Sequence, residues 1–368
     1  MSDETTQEVR PYRLSNSEIQ VFKDCRRKWW LNYYRRLQPK QKDFTGALAL
    51  GSRIHEALDR YYTSNRESDL LELHAELVDI DRKKLMDEYR DTTDLEAEGE
   101  LGRIMLEGYL QWMEDEGIDA ELEMISTEEI IEMPLLDGQV ILQGKLDMRV
   151  RRKSDGVRMF RDFKTVGGSF SDFANQAQMN EQILTYMMLE HAQNKEPGER
   201  SEGGLFTMLK KVKRTANARP PFYEQIEVRH NVFTLRSFWQ RIHGTITDLM
   251  GVKKALDEGA DPNFVAYPRP SKDCKWKCQF YTICPLIDDG SAAEAAIEQM
   301  YDIEIEQAHC AIAIYDPDTG KGQEAQIVSL DSSELVAQAG VMVQKTQQFF
   351  FDHYPGGVPF TISMDKGA

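Results

Sequence analysis

Two acidic residues and a lysine lie inside segments that otherwise read as apolar strands. Asp147 lies in GKLDMRV, and Asp162 and Lys164 lie in FRDFKT. Side chains alternate along a strand, so Asp162 and Lys164 point to one face, and a hairpin would bring Asp147 beside them. Two carboxylates suit a hard cation such as Mg²⁺, which activates water, while an ammonium stabilises developing charge. The trio indicates phosphodiester hydrolysis, although a surface ion pair would explain Asp-x-Lys alone.

Three further polar residues extend this set. His55 lies in the helical segment GSRIHEAL upstream of the strands, and imidazole suits Mn²⁺ and tolerates Mg²⁺ sites. Gln182 and Tyr186 are separated by one helical turn, so both face one side of the helix after the Asp-x-Lys strand. An amide and a phenol there could hold phosphates or bases. Taken singly, each of these residues would be an ordinary packed or surface position.

The chain has five cysteines, an odd number that does not indicate a secreted disulfide framework. Cys274, Cys278 and Cys284 form the pattern C-x3-C-x5-C, and Cys25 lies far upstream in FKDCRRKWW. Thiolates from one tight loop can share a metal, and a distant fourth thiolate can complete the site. Cys310 lies in the apolar stretch HCAIAIY, which predicts an inert buried thiol.

The motifs GxxxHE, GKLD, DFKT and QxxxY occur in this order along the chain. Together they resemble the motifs of RecB-like nucleases of the PD-(D/E)XK superfamily, which include AddB-type, CRISPR-adaptation and phage exonucleases. The resemblance covers about residues 12–286. It implies a Mg²⁺ or Mn²⁺ site formed by His55, Asp147, Asp162 and the backbone carbonyl of Phe163. It also implies that Lys164 is the catalytic lysine and that Gln182 and Tyr186 form the substrate-side motif.

The cysteines carry a second resemblance. Iron–sulfur nucleases of the same family have one cysteine before the nuclease core and three after it, as this chain does with Cys25, Cys274, Cys278 and Cys284. The resemblance implies a [4Fe–4S] cluster, which takes four thiolates. Such a cluster would join the N-terminal helix to the segment after the core by closing a loop of about 250 residues. Structural Zn²⁺ also accepts four cysteines and is the alternative.

Hydrophobic periodicity predicts an α/β (α+β) fold with a central mixed β-sheet flanked by helices. The resemblance implies a restriction-endonuclease-like core. The predicted helices are 15–37, 46–64, two or three acidic helices within 67–117, 174–191, 232–257 and 333–352. The predicted strands are a hairpin from about 121 with a two-residue turn at Asp137-Gly138, then 157–166, 204–212, 222–230, 309–315 and 324–330.

The chain is expected to have four parts. Residues 1–45 form a helical segment with the first cluster cysteine, and residues 46–260 form the nuclease core. This core contains an acidic helical insertion at about 65–120. Residues 261–289 are the cysteine-rich loop, and residues 290–368 are an appendix of unassigned role.

The net charge of −17 is concentrated in one region. Residues 65–140 hold 24 acidic and 6 basic residues, and the remainder holds 38 acidic and 39 basic residues. A locally positive groove for phosphates is therefore compatible with the sequence, for example around Lys210–Arg214. The N-terminus lacks an apolar signal core, and no run reaches the roughly 18 apolar residues of a membrane span. A cytoplasmic protein without membrane contact is expected, and one encoded by a phage in a bacterial host fits the same pattern.

These observations predict a Mg²⁺- or Mn²⁺-dependent DNA exonuclease. Its substrate would be single-stranded or end-containing DNA, in recombination, repair or phage DNA processing. One alternative is a DNA- or partner-binding module in a recombination or CRISPR-like complex. A pure scaffold has no use for the costly Asp-x-Lys cluster, which argues against this alternative. Another is an endonuclease that cuts structured junctions or RNA.

Overall fold

The computed structural model describes residues 11–194 and 196–304, with the strand residues 314–315 and 322–323. It divides into two compact units. The first comprises the described residues within 1–30 and 41–285, and the second comprises those within 31–40 and from 286 onward. All the predicted site residues and the four clustered cysteines belong to the first unit.

The strands are numbered along the chain. They are β1 (Tyr12–Ser15), β2 (Leu37–Pro39), β3 (Leu122–Leu135), β4 (Val140–Arg152), β5 (Arg158–Val166), β6 (Gly203–Lys210), β7 (Tyr223–Arg229), β8 (Tyr301–Ile303), β9 (Ile314–Tyr315) and β10 (Gly322–Gln323). The α-helices are α1 (Asn16–Asp24), α2 (Arg26–Trp29), α3 (Ala47–Thr63), α4 (Leu70–Asp87), α5 (Thr93–Glu116), α6 (Phe170–Ala177), α7 (Glu181–Gln193), α8 (Val232–Asp257), α9 (Pro262–Val265), α10 (Cys274–Lys277), α11 (Cys284–Asp288) and α12 (Ala293–Met300). A π-helical turn covers Trp30–Tyr34, and 3-10 turns cover Ile118–Glu121, Leu136–Gly138 and Pro197–Glu199.

A mixed sheet forms the centre of the first unit, with strand order β1, β4, β5, β6, β7 and with β3 also paired to β4. β3 follows β4 antiparallel along nearly its whole length. On the opposite edge, β4 pairs with β1 in parallel near its start and with β5 antiparallel near its end. β5 and β6 are parallel, and β7 returns antiparallel. The predicted central mixed sheet flanked by helices is confirmed.

The two faces of the sheet have different helical cover. Phe163 of β5 packs into a buried cluster with residues of α3 and α5, including Ile54 and Tyr109. Phe160, on the alternate face of the same strand, meets the ring of Tyr186 from α7 at a centroid distance of 5.7 Å. β5 therefore lies between α3 and α5 on one side and α7 on the other, because its side chains alternate.

Two predicted helices are wrong as continuous elements. The helix predicted at 15–37 begins at its Ser15 cap but ends at Asp24, because Cys25 is extended with φ −162° and ψ 113°. The helix predicted at 174–191 is divided into α6 and α7. The side chain of Asn180 accepts hydrogen bonds from two backbone N–H groups and starts a new helix there. The other helices predicted up to residue 257 are confirmed, and the acidic segment forms two helices.

The predicted hairpin is confirmed, but its connection is longer than the two residues expected. Leu135 pairs with Val140, so the connection is Leu136–Gln139. Leu136, Asp137 and Gly138 all have positive φ. These left-handed residues make the connection between β3 and β4 longer than a two-residue turn.

In the second unit, β2 pairs with β8 and β9 pairs with β10, both antiparallel. β9 falls at the end of the strand predicted at 309–315, and β10 lies directly before the strand predicted at 324–330. The rest of the first predicted strand, the whole of the second, the helix predicted at 333–352 and Cys310 lie outside the described residues. No helix in the described part of the chain is both long enough and apolar enough to cross a membrane.

Candidate active site

Strands β4 and β5 separate at the two predicted acidic ligands. Their antiparallel ladder ends with Met148 opposite Arg161. The next position in that register would place Asp147 opposite Asp162, but the ladder does not continue there. On the same edge of β4, pairing with β1 stops at Gln143. The two carboxylates therefore lie at an opening in the sheet, where neighbouring helices can reach them from either face.

Asp162, Lys164 and Gln182 form one hydrogen-bonded group. The Lys164 Nζ lies 2.7 Å from the Asp162 Oδ2 and donates to the Gln182 Oε1 at 3.2 Å. The Gln182 Nε2 donates to the Asp162 Oδ1 at 3.1 Å. The Asp162 side chain is only 3% exposed. The single amide of Gln182 thus holds the carboxylate through its N–H group and the ammonium through its carbonyl.

Tyr186 connects this group to the backbone of β4. The Gln182 Nε2 also donates to the Tyr186 hydroxyl at 2.8 Å, and that hydroxyl donates to the Lys145 carbonyl at 2.7 Å. The close approach depends on Gly144, since a Cβ at that position would lie 2.9 Å from the Tyr186 ring and 3.0 Å from Leu189. Gly144 of the GKLD motif therefore lets α7 pack directly on β4.

Asp147 and His55 approach each other across the opening. The His55 Nδ1 lies 3.9 Å from the Asp147 Oδ2, and this oxygen is buried without a hydrogen-bond partner among the described residues. Burial, and then the negative charge of Asp162, raise the pKa of Asp147 to about 7. Burial lowers the pKa of His55, while its hydrogen bond to the Phe163 backbone opposes that change. The structure thus brings the predicted ligands His55, Asp147, Asp162 and Phe163 to one place.

Two carboxylates beside Asp147 were absent from the sequence-based prediction. Asp59 follows His55 by one turn of α3, and burial together with Asp147 and Glu128 raises its pKa to about 8. Glu128 of β3 lies between the residues that pair with Met148 and Leu146 of β4, has φ +53° and forms an ion pair with Lys145. The i, i+4 spacing of His55 and Asp59 was a usable signal. The backbone at Glu128 had no such signal in the sequence.

The donor set fits a hard divalent cation. Carboxylate and carbonyl oxygens with one imidazole are ligands that Mg²⁺ or Mn²⁺ accepts, and the unpartnered Oδ2 of Asp147 is a buried acceptor without a donor. Within the described ranges, no three histidine, cysteine, aspartate or glutamate side chains already stand at the spacing of a metal site.

The four predicted cluster cysteines also converge. Cys25, between α1 and α2, and Cys274, at the start of α10, are each near enough to Cys278, at the end of α10, to influence it electrostatically. Cys284, at the start of α11, is close enough to Cys25 and Cys278 for the same effect. All four are free thiols, and burial raises the pKa of Cys278 and Cys284.

Backbone N–H groups point at two of these sulfurs. The amide of Arg269 donates to the Cys25 Sγ at 3.4 Å, and the amide of Ser271 donates to the Cys274 Sγ at 3.3 Å. The segment before the cysteine loop therefore contacts both the N-terminal cysteine and the first cysteine of the loop.

Comparison with known proteins identifies the family. Residues 13–285 match the PD-(D/E)XK nuclease superfamily, and the match includes every predicted ligand and all four clustered cysteines. The chain belongs to this superfamily, whose activity is nucleic-acid hydrolysis and whose members generally use Mg²⁺ or Mn²⁺. Among the curated proteins, none matches the chain.

Two solved structures are similar to parts of the chain. One is the crystal structure of a candidate exonuclease from Eubacterium rectale, which is 12% identical and has a TM-score of 0.42. It covers 76% of this chain and 98% of that chain. The other is the crystal structure of SSO0001, which is 16% identical with a TM-score of 0.28 and covers 73% of this chain and 95% of that chain.

Proposed function

We propose that this protein is a RecB-like DNA exonuclease that hydrolyses phosphodiester bonds in single-stranded or end-containing DNA. The observation that carries the proposal is the opening between β4 and β5. There Asp147 and Asp162 meet His55 from α3 and the Lys164–Gln182 pair. A purely structural ion pair would not leave a buried carboxylate oxygen without a donor, because that arrangement is costly.

In this proposal, His55, Asp147, Asp162 and the Phe163 carbonyl hold Mg²⁺ or Mn²⁺. When bound, the cation would polarise a phosphoryl oxygen and lower the pKa of a bound water. Lys164 stands next to Asp162 and its side chain is 27% exposed, so it can donate to the attacking water or to the charged phosphate.

Gln182 and Tyr186 act in this proposal as positioning residues. The Gln182 amide fixes the separation of Lys164 and Asp162 by bonding to both. Tyr186 in turn fixes Gln182 against the β4 backbone. Catalytic groups need to be held to within a fraction of an ångström, and this chain of bonds supplies that restraint.

We also propose that Cys25, Cys274, Cys278 and Cys284 hold a [4Fe–4S] cluster. The convergence of the four free thiols supports the proposal. The amide donors at Cys25 and Cys274 support it as well, since hydrogen bonds to sulfur tune such clusters. Its role is structural, because it joins the N-terminal helices to the segment that follows the core. Four-thiolate Zn²⁺ is the competing occupant.

The decisive experiment compares wild-type protein with Asp162→Asn on 5′- and 3′-labelled single-stranded DNA with Mn²⁺. We expect the wild type to release short products progressively from an end, and the variant to be inactive but folded. Glu116→Gln, at the exposed end of α5, is the matched control and should cut normally. Cleavage retained by Asp162→Asn would overturn the proposed site. Internal products from a circular single strand would replace the exonuclease with an endonuclease.

A further inference from the structure

We propose that the end of β6 and the loop after it form a phosphate-binding surface for the DNA strand beside the candidate active site. This basic surface consists of Lys210, Lys211, Lys213, Arg214 and Arg219. The inference rests on the proposed nuclease function and adds to it the part of the protein that holds the substrate backbone.

The charges of the basic surface are unneutralised at short range. In the described part of the chain, no carboxylate oxygen forms an ion pair within 4.0 Å of any of its five cations. Lys211 donates to the Ala47 carbonyl at 3.3 Å, and Arg214 donates to the Val212 carbonyl and the Tyr223 hydroxyl. Arg219 donates to two backbone carbonyls of its own loop. These acceptors are uncharged, so they orient the cations without neutralising their positive charge.

Basic residues elsewhere in the sheet are bound to acids. Arg152 lies 2.9 Å from Glu227, Arg149 lies 3.0 Å from Glu190, and Arg229 pairs with three different acids. The chain has 62 acidic and 45 basic residues, yet none of the five cations of the basic surface has such an acidic partner among the described residues. Glu98 and Glu100 of α5 influence Lys211 and Lys213 only from longer range. The surface therefore presents a local positive field despite the net charge of the protein.

The position of Lys210 connects this surface to the catalytic strand. In the parallel β5–β6 ladder, Lys164 stands opposite Met208 and Val166 stands opposite Lys210. Side chains alternate, so Lys210 projects from the same face of the sheet as Asp162 and Lys164. It lies two residues further along and on the neighbouring strand, so the two backbone positions are roughly 8 Å apart. That distance corresponds to about two nucleotides from a phosphate held at Lys164, given about 3.4 Å per nucleotide in a stacked strand.

Lys211 reaches the opposite face of the same sheet. Its backbone N–H donates to the Val166 carbonyl at 2.8 Å, which keeps it next to the end of β5. Its ammonium lies at Ala47, the first residue of the helix that carries His55. The two consecutive lysines therefore flank the end of the catalytic strand from both sides. A strand that leaves the opening between β4 and β5 meets positive charge on either face.

Two cations of the basic surface pack against aromatic rings. The Arg214 guanidinium lies 3.7 Å from the Phe222 ring centroid and 5.4 Å from that of Tyr223. The ammonium of Lys210 lies 5.7 Å from the Phe170 ring centroid. Cations that are already ordered lose less conformational freedom when they bind phosphate. A nucleic-acid backbone is a polyanion that such a group of cations can bind through its phosphates.

The test compares the double variant Lys210→Gln/Lys213→Gln with Lys84→Gln/Lys254→Gln. Both variants lose two positive charges, but the control lysines stand on α4 and α8 and lie 3.3 and 3.8 Å from acids. Binding of fluorescein-labelled single-stranded DNA is measured by anisotropy in EDTA, where metal-dependent cleavage is absent, over a range of KCl concentrations. For two lost phosphate contacts, we expect a roughly 5- to 25-fold rise in Kd near 0.1 M salt. The slope of log K against log salt should become shallower by about 1.4.

The outcomes separate this inference from the proposed function. A double variant with the Kd and salt slope of the control overturns the phosphate surface, even if the wild type cuts DNA. Weakened DNA binding supports the surface, even if the wild type cuts nothing and the nuclease proposal fails. Unchanged DNA binding with weakened binding of poly-glutamate would assign the surface to an acidic protein and overturn the proposal. If the double variant does not fold, the single charge reversal Lys213→Glu, at an exposed position, gives the same test.

Discussion

Gly51 of α3 packs directly against Thr165 of β5. A Cβ at position 51 would lie 3.1 Å from the Thr165 Oγ1, closer than ordinary van der Waals contact. Gly51 precedes His55 by one helical turn, and Thr165 follows Lys164 directly. The contact therefore sets how closely the helix that carries the imidazole approaches the strand that carries the carboxylate. The short distance between α3 and β5 at the candidate site therefore explains the glycine of the GxxxHE motif.

Substitution of this glycine should weaken cation binding. Gly51→Ala pushes α3 away from β5 by a few tenths of an ångström, so His55 and Asp162 no longer meet one ion in the same geometry. We expect the Kd for Mn²⁺, measured by calorimetry, to rise by roughly 3- to 10-fold, since small misplacements of functional groups have large effects. The variant Gly51→Ala/Thr165→Ala removes the opposing hydroxyl and should recover most of the affinity. Equal affinities in all three proteins would contradict this account.

Gly144→Ala and Tyr186→Phe separate packing from hydrogen bonding at the α7–β4 contact. The alanine methyl would overlap the Tyr186 ring, so we expect a loss of about 1–3 kcal/mol in the free energy of unfolding, as for other overpacked cores. Tyr186→Phe keeps the ring and removes only the bonds to Gln182 and Lys145. It should lose about 1 kcal/mol or less of stability. Urea denaturation measures both values.

Tyr186→Phe should also change the rate of catalysis. If Tyr186 positions Gln182, Tyr186→Phe should lower kcat while leaving the Kd for DNA close to that of the wild type. A variant with normal kcat would assign Tyr186 to packing alone. Leu189→Ala, which changes the neighbouring contact of Gly144 without touching the hydrogen bonds, is the control for a general loosening of α7.

The raised carboxyl pKa values predict how the stability of the metal-free protein depends on pH. Asp147 has a pKa of about 7 in the folded protein against 3.8 ordinarily, and Asp59 has about 8. The folded state then binds more protons than the unfolded state between these values, so stability falls as pH rises from about 4 to 8. Asp147→Asn mimics the neutral acid. In EDTA it should be more stable than the wild type at pH 8, by roughly 1–3 kcal/mol, and similar at pH 4.5.

Thermal unfolding in EDTA across this pH range checks the prediction. Asp87→Asn, at the exposed end of α4, is the control and should keep the pH dependence of the wild type. Mn²⁺ should stabilise the wild type more at pH 8 than at pH 5, because protons compete with the cation for Asp147. A metal-free protein whose stability increases from pH 5 to pH 8 would count against the described arrangement of Asp59 and Asp147.

The proposed [4Fe–4S] cluster predicts different results for Cys25→Ser and Cys310→Ser. Cys25→Ser removes one of the four converging thiols, so anaerobically purified protein should lose most of its iron, its sulfide and its absorbance near roughly 400 nm. Cys310→Ser changes the cysteine outside this group and should retain all three. Iron and zinc are measured together by plasma mass spectrometry. A wild type with one zinc and no sulfide would replace the cluster with Zn²⁺.

The hairpin and the Asp-x-Lys strand could be predicted because their signals are local. Alternating apolar residues identify β4, and the turn before residue 157 indicates where β5 begins. The strand period of two then places Asp162 and Lys164 on one face. The order of the motifs then indicates which distant helix supplies His55. The structure contains β4, β5 and the helix with His55 where they were predicted. The signals for the two strands lie in neighbouring residues and do not depend on distant contacts.

The remaining features arise from contacts that a local pattern does not encode. Asn180 starts a new helix because its side chain caps α7, whereas apolar periodicity alone continues through that position. Glu128 leaves the β3 ladder with a left-handed backbone, which places its carboxylate among the acids around Asp147. No run of residues around Asp147 signals that the β4–β5 ladder ends with Met148 opposite Arg161.

The meeting of Cys25 with the loop that begins at Cys274 also bears on how the protein is made. The first cysteine leaves the ribosome about 250 residues before its partners, which at about 5–20 residues per second is a delay of roughly 10 to 50 seconds. During that interval the β4–β5 hairpin and the helices that cover it can already form. A four-cysteine cofactor would therefore be inserted last, into a core that has folded around its own carboxylates. Loading of the cluster would then report that the whole segment from Cys25 to Cys284 has been completed and correctly brought together.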